Sequence, residues 1–77
     1  MSRFAHKHVD HISGPVCIGI MVAHGTLRTY RNGKLLNILD VAHDEIALRF
    51  AKRTQDAAYP GGEWIDAPCE VHSPNHD

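Results

Sequence analysis

From Val16 the chain alternates strictly: Val16, Ile18, Ile20 and Val22 fall on one parity, and Cys17, Gly19, Met21 and Ala23 on the other. A period of two is the signature of a half-buried strand. His24-Gly25 supplies a two-residue turn, and Thr26 to Arg31 forms a second strand. Asn32-Gly33 is the strongest short hairpin signal, because a type I′ turn needs positive φ at both central residues. Lys34 to Leu39 or Val41 is the third strand. With both turns read as tight hairpins, Val22 faces Leu27, Ile20 faces Thr29, Thr29 faces Leu36 and Leu27 faces Ile38. Cross-strand partners share a face, so Val16, Ile18, Ile20, Val22, Leu27, Leu36 and Ile38 form one core face. A slip of one residue would destroy that agreement.

After the strands the period changes to that of a helix. Ile46, Ala47, Phe50, Ala51, Thr54, Ala57 and Ala58 recur at i, i+3 and i+4, while Arg49, Lys52, Arg53 and Gln55 lie toward the other side. Asp40 is the candidate N-cap, and Asp44 and Glu45 complement the positive end of the helix. Pro60-Gly61-Gly62 stops it. Glu63 to Ala67 is either a further strand or a packed tail in which Trp64 or Ile65 covers the core. Phe4, Val9 and Ile12 anchor the histidine-rich start as a short edge strand, and the tail from Pro68 is polar and mobile. The fold class is therefore α+β: a three- to four-stranded antiparallel β-meander with one helix on one face, βββα or βββαβ. It is one small domain over residues 1–77, with its ordered core at about 14–67 and polar, His-rich ends at 1–13 and 68–77.

Composition narrows the function classes. Seventy-seven residues are near the lower limit for a self-sufficient core. Dimerisation, docking or a bound metal would add stability. Eight Lys and Arg against nine Asp and Glu give a net charge of −1 with neutral histidines. That disfavours nucleic acid as a partner and leaves self-association open. The seven histidines would carry the charge from −1 to +6 if all took up a proton. The longest apolar run, Val16 to Ala23, is too short to span a membrane. With two cysteines and no secretory pattern, the expectation is a cytoplasmic protein with reduced thiols and no membrane partner.

Candidate chemistry sits mainly at the two ends. His6-Lys7-His8-Val9-Asp10-His11 matches the His-x-His-x-Asp-His string of metallo-β-lactamase-type hydrolases. The strand before it and the long fold after it, which that chemistry requires, have no counterpart here. A simpler set joins His6, His8 and His11 to Cys69, His72 and His76, where Cys-x2-His-x3-His spacing suits zinc. A metal joining both ends would stabilise a small domain. Cys17 lies inside a strand and reads as a small packed hydrophobe. Ser13, Ser73 and the carboxylates form no oriented catalytic set, and no Gly-rich phosphate loop precedes a helix. The expectation is no enzyme activity, no catalytic residue and no obligatory cofactor.

The sheet face away from the helix is where the pattern departs from a polar, solvated surface. In the register above it carries Cys17, Met21, Arg28, Tyr30, Leu35, Asn37 and Leu39. Grouped Met, Tyr, Leu and Arg are typical of an interface. Met21, Arg28, Tyr30, Arg31, Leu35, Asn37 and Leu39 are therefore the candidate partner-binding residues, for a protein partner or a second copy of the chain. In size and style such a module is similar to phage or mobile-element inhibitors such as anti-CRISPR proteins.

Between Gly25 and Ala58, Tyr30, the Asn32-Gly33-Lys34 turn, Leu36, Ile38, Val41, Glu45, Ala47 and Phe50 recur in a pattern that resembles other small sheet-plus-helix domains. These are the DNA-binding domains of tyrosine-integrase arms and of plant ethylene-response factors. The resemblance implies major-groove reading by Arg28, Tyr30, Lys34 and Asn37. Against it, the strands lack tryptophan, Leu35 and Leu39 occupy polar or glycine positions, and phosphate contacts favour a basic chain. A DNA-binding domain and a zinc-stabilised domain stand as the alternatives to a protein-binding module.

Overall fold

The computed structural model describes residues 2–69. Four strands run in chain order, β1 (Arg3–His11), β2 (Gly14–Ala23), β3 (Thr26–Arg31) and β4 (Lys34–Asp40), followed by one helix, α1 (Asp44–Ala58). The strands form one antiparallel sheet in the order β1-β2-β3-β4. The two central turns are as the sequence requires: His24 and Gly25 take φ of 52° and 75°, Asn32 and Gly33 52° and 83°, the paired positive values of type I′ hairpins.

The first strand is nine residues long and fully paired with β2, from Arg3 opposite Val22 to His11 opposite Gly14. This corrects the reading of residues 1–13 as a polar end outside the ordered core. The alternation was present but disguised: Ala5, Lys7 and Val9 are its buried inward positions, and a lysine at the centre of a core stripe does not look apolar. Ile12, expected as an anchor, sits in the turn at 98% exposure.

Lys7 is 0% exposed. Its ammonium donates to Asp56 Oδ1 at 2.7 Å, Tyr59 O at 2.6 Å and Gly61 O at 2.8 Å, and lies 5.3 Å from the centre of the Trp64 ring. All three protons are used, the condition under which a charge can be enclosed. The last turn of α1 contains no basic residue, so β1 supplies the cation that a helix C-terminus favours.

The helix is seated differently from its sequence pattern. Its buried residues are Ala47, Leu48 and Ala51, which pack on Ala5, Ile20, Val22 and Leu27. Ile46 and Phe50, placed at the core by periodicity, are exposed, Phe50 to 61%. Five apolar residues at 46, 47, 48, 50 and 51 span a wider arc than one sheet contact can cover. The stripe containing Leu48 wins because it turns the helix toward β2 and lets Lys7 grip its end. The N-cap is His43, without a side-chain cap bond, and Asp40 is the last residue of β4. Beyond the helix, Gly61 and Gly62 have φ of 94° and 75°. A Cβ on Gly62 would lie 2.7 Å from His8 O and 2.8 Å from Val9 Cγ1, so only glycine lets the chain turn this close to β1. Trp64 then packs on both core clusters, on the helix side.

Candidate functional site

Two regions stand out, one at each edge of the sheet. At the β4 edge the ladder with β3 is interrupted between Thr29 and Tyr30: Tyr30 pairs with Leu35, but Thr29 pairs with Asn37 and Leu27 with Leu39. Leu36 is the extra residue of a β-bulge. The bulge reverses every side chain after it. Leu36 and Ile38, expected in the core, are about half exposed. Asn37 and Leu39, expected on the outer face, pair with inward-facing residues and lie on the helix side. The register has two packing consequences: Leu39 meets Leu27 beneath Phe50, and Val41 N donates to Gly25 O at 2.8 Å with its side chain on the core.

The remaining partner candidates are distributed by the same parity. Met21, Arg28 and Tyr30 are half-buried on the outer face, with Leu35 exposed beside Tyr30. Arg31 faces the helix side, where its guanidinium donates to Tyr59 Oη at 2.7 Å, so it is no outer-face anchor. The set that would read DNA is also split, because Asn37 points away from Arg28 and Tyr30.

The apolar exposure instead gathers around the β4 edge. Of the eight exposed large hydrophobic residues among the described ones, Leu35, Leu36, Ile38 and Leu39 lie on β4, and Ile46 and Phe50 on the adjoining side of α1. All seven residues of β4 are exposed. Between β4 and α1 runs an open groove of about 360 Å³, lined by Leu27, Leu39, Val41, Ile46, Ala47 and Phe50 among others. This edge is only partly legible from sequence: the pattern marks Leu35 and Leu39 as exposed, whereas it places Leu36, Ile38, Ile46 and Phe50 in the core.

At the opposite edge, residues 60–69 cross from the helix side around β1 to the outer face. Ile65 adds one antiparallel bridge to His6, with backbone bonds of 2.9 and 2.8 Å. His6 Nδ1 lies 2.6 Å from Ala67 O, and Cys69 Sγ 3.4 Å from His8 Nε2. His8 stands directly opposite Cys17 on β2. Cys17 is held at both backbone groups by Asn32, whose Oδ1 accepts from Cys17 N at 2.8 Å while Asn32 N donates to Cys17 O at 2.8 Å. Burial pushes the Cys17 thiol up to about 12, helped by its hydrogen bond with Cys69 and by that residue's charge. His11 lies apart, on the helix side, against Ser13 and the Tyr59 ring. His72 and His76 lie outside the described residues.

No known protein family, no curated protein and no solved structure matches the chain. No helix among the described residues is long and apolar enough to cross a membrane.

Proposed function

We propose that this chain is a small protein-binding module whose binding surface is the β4–α1 edge, and that its partner there is a second copy of itself. The observation that carries the reading is the concentration on that one edge of six of the eight exposed large hydrophobic side chains among the described residues. Leu35 and Ile38 lie toward the outer face and Leu39, Ile46 and Phe50 toward the helix, so a partner strand added along this edge would cover apolar side chains on both faces, as interfaces do. Self-pairing is favoured by charge: β4 begins with Lys34 and ends with Asp40. In a two-fold antiparallel arrangement each end meets its opposite, as an isologous contact requires. The two edges also differ, since β1 carries the Ile65 bridge while β4 presents an unpaired row of backbone groups among the described residues.

Magnitudes bound the affinity. Covering six half-exposed side chains on each copy returns roughly 1 kcal/mol apiece, against an association cost of about 4–15 kcal/mol. The result is a weak dimer whose population depends on concentration. Sedimentation equilibrium tests it. The wild-type chain should shift from monomer to dimer with rising concentration, Leu39→Asp should stay monomeric with an unchanged far-UV CD spectrum, and Tyr30→Ala on the outer face should still dimerise. A wild-type chain monomeric up to millimolar concentration, or a Leu39→Asp variant that dimerises normally, sinks the proposal.

A further inference from the structure

The cluster on the outer face of β1 has the composition and the construction of a metal site. One ring nitrogen each of His6 and His8 and the sulfur of Cys69 all lie within 4.8 Å of one another. Bound to one tetrahedral zinc, such atoms would sit about 3.3–3.8 Å apart, from Zn–N near 2.0–2.1 Å and Zn–S near 2.3 Å. Drawing them together needs shifts of about an ångström or less. We propose that His6, His8 and Cys69, with Cys17 as the fourth ligand, form a structural zinc site that clips the segment after α1 to the outer face of the sheet.

Four features support it. First, the ligand types are those zinc selects, and two histidines with two thiolates close a tetrahedron without a water position. Second, the imidazole of His6 is oriented from behind: with Nδ1–H donating to Ala67 O at 2.6 Å, the lone pair is left on Nε2, the second-shell arrangement typical of metal-binding histidines. Third, the ladder sets Cys17 opposite His8, outside the three-residue group but hydrogen-bonded to Cys69, so a side-chain rotation would bring it in. The backbone groups of His6 bond Ile65 and those of Cys17 bond Asn32, so both residues point their main chains away from the β1–β2 seam. His8 opposite Cys17 is therefore a non-hydrogen-bonded pair, the kind in which facing side chains approach most closely. Fourth, the site is enclosed: His6, Cys17 and Cys69 are buried and only His8 reaches the rim.

Binding would release the two thiol protons to solvent, and the two thiolates would neutralise the ion's charge. The ligands come from three places in the chain, β1, β2 and the segment after α1. The metal would therefore reinforce the closure that the Ile65 bridge and the His6–Ala67 bond now make, and its binding energy would add to the stability of the fold. The site is independent of the β4–α1 edge and lies at the other side of the sheet.

The experiment uses the full chain, purified, stripped with chelator under reducing conditions and titrated with Zn²⁺, and in parallel with Co²⁺ as a spectroscopic reporter. The expected result is one zinc per chain, a Tm raised by several degrees and reversed by chelator, and Co²⁺ spectra with tetrahedral d–d bands and thiolate charge transfer. His8→Ala, at the solvent rim, should fold without zinc and lose the shift, while Cys17→Ser should weaken binding at least tenfold and lower the charge-transfer intensity. His11→Ala should bind zinc as the wild type does. Absence of stoichiometric binding, or a Tm indifferent to zinc and chelator, would overturn the site. So would full binding by His8→Ala. A Cys17→Ser variant with wild-type affinity and spectrum would overturn the four-ligand assignment, and a Cys17–Cys69 disulfide forming in preference to zinc uptake would replace the site with a redox pair.

Discussion

Lys7 is the residue on which the geometry of the helix end depends. It is a charge in a core stripe, and it is tolerated because Asp56, Tyr59 O and Gly61 O take all three of its protons. Removing a partner of an enclosed charge costs more than the pair contributes. Asp56→Ala, which also strips Trp64 Nε1 of its acceptor at 2.9 Å, should cost about 2 kcal/mol, reduced from the fully buried case because Asp56 faces solvent. In urea unfolding, Lys7→Met combined with Asp56→Ala should lose less than the sum of the single changes. The carboxyl of Asp56 is held below its ordinary 3.8, first by the hydrogen bond from Lys7, which burial partly opposes, and then by Trp64 and the charges of Lys7 and Lys52. A depressed acid stabilises above its unfolded value and that contribution fades as pH falls through the folded one. The stability of the wild type should therefore drop below about pH 4, and Asp56→Ala should flatten that part of the profile.

At the scale of elements, α1 and β4 each had two ways to sit, and packing chose. The helix could bury Ile46 and Phe50 or bury Leu48, and it buries Leu48. Leu48→Ala should then cost about 3 kcal/mol, whereas Phe50→Ala, measured at a concentration where the chain is monomeric, should change stability by less than about 1 kcal/mol. Equal losses would mean that the helix is seated as its periodicity suggested. β4 offered four apolar residues in five positions, Leu35, Leu36, Ile38 and Leu39, so a ladder with or without a bulge puts leucine or isoleucine inward. Strands β2 and β3 had no such ambiguity, because their alternation was strict and their turns carried residues suited to positive φ. That is why Val16, Ile18, Ile20, Val22 and Leu27 were legible as core, and why Leu36, Ile38, Asn37 and Leu39 were not correctly placed.

For the whole molecule, the two edges of the sheet differ in what they carry. The β1 edge carries the Ile65 bridge and the His–Cys cluster; the β4 edge holds the apolar groove. Ligands and partners that bind only the folded state raise its apparent stability by mass action. The Tm of the wild-type chain should thus rise by a few degrees over a hundredfold increase in protein concentration, and that dependence should vanish in Leu39→Asp while the response to zinc persists. Loss of both in Leu39→Asp would mean that the two edges are coupled.

The sequence by itself determined the α+β class, the two type I′ hairpins, the central core stripe of β2 and β3, and the end of the helix, because each depends on contacts or conformations local to a few residues. It also contained the ligand types of the His–Cys cluster. The start of the chain was legible as a short edge strand, and only the tertiary structure decided that all of Arg3–His11 pairs in the sheet, since a core lysine becomes acceptable once a helix end 49 residues away supplies its partner. Only it decided the bulge at Leu36 and the rotation of α1, where alternatives of similar apolar content differ in long-range packing. And only it brought Cys69 beside His6 and His8, with Cys17 opposite His8, and left His11 outside, because sequence spacing carries no information about which face of a sheet a returning chain will cross.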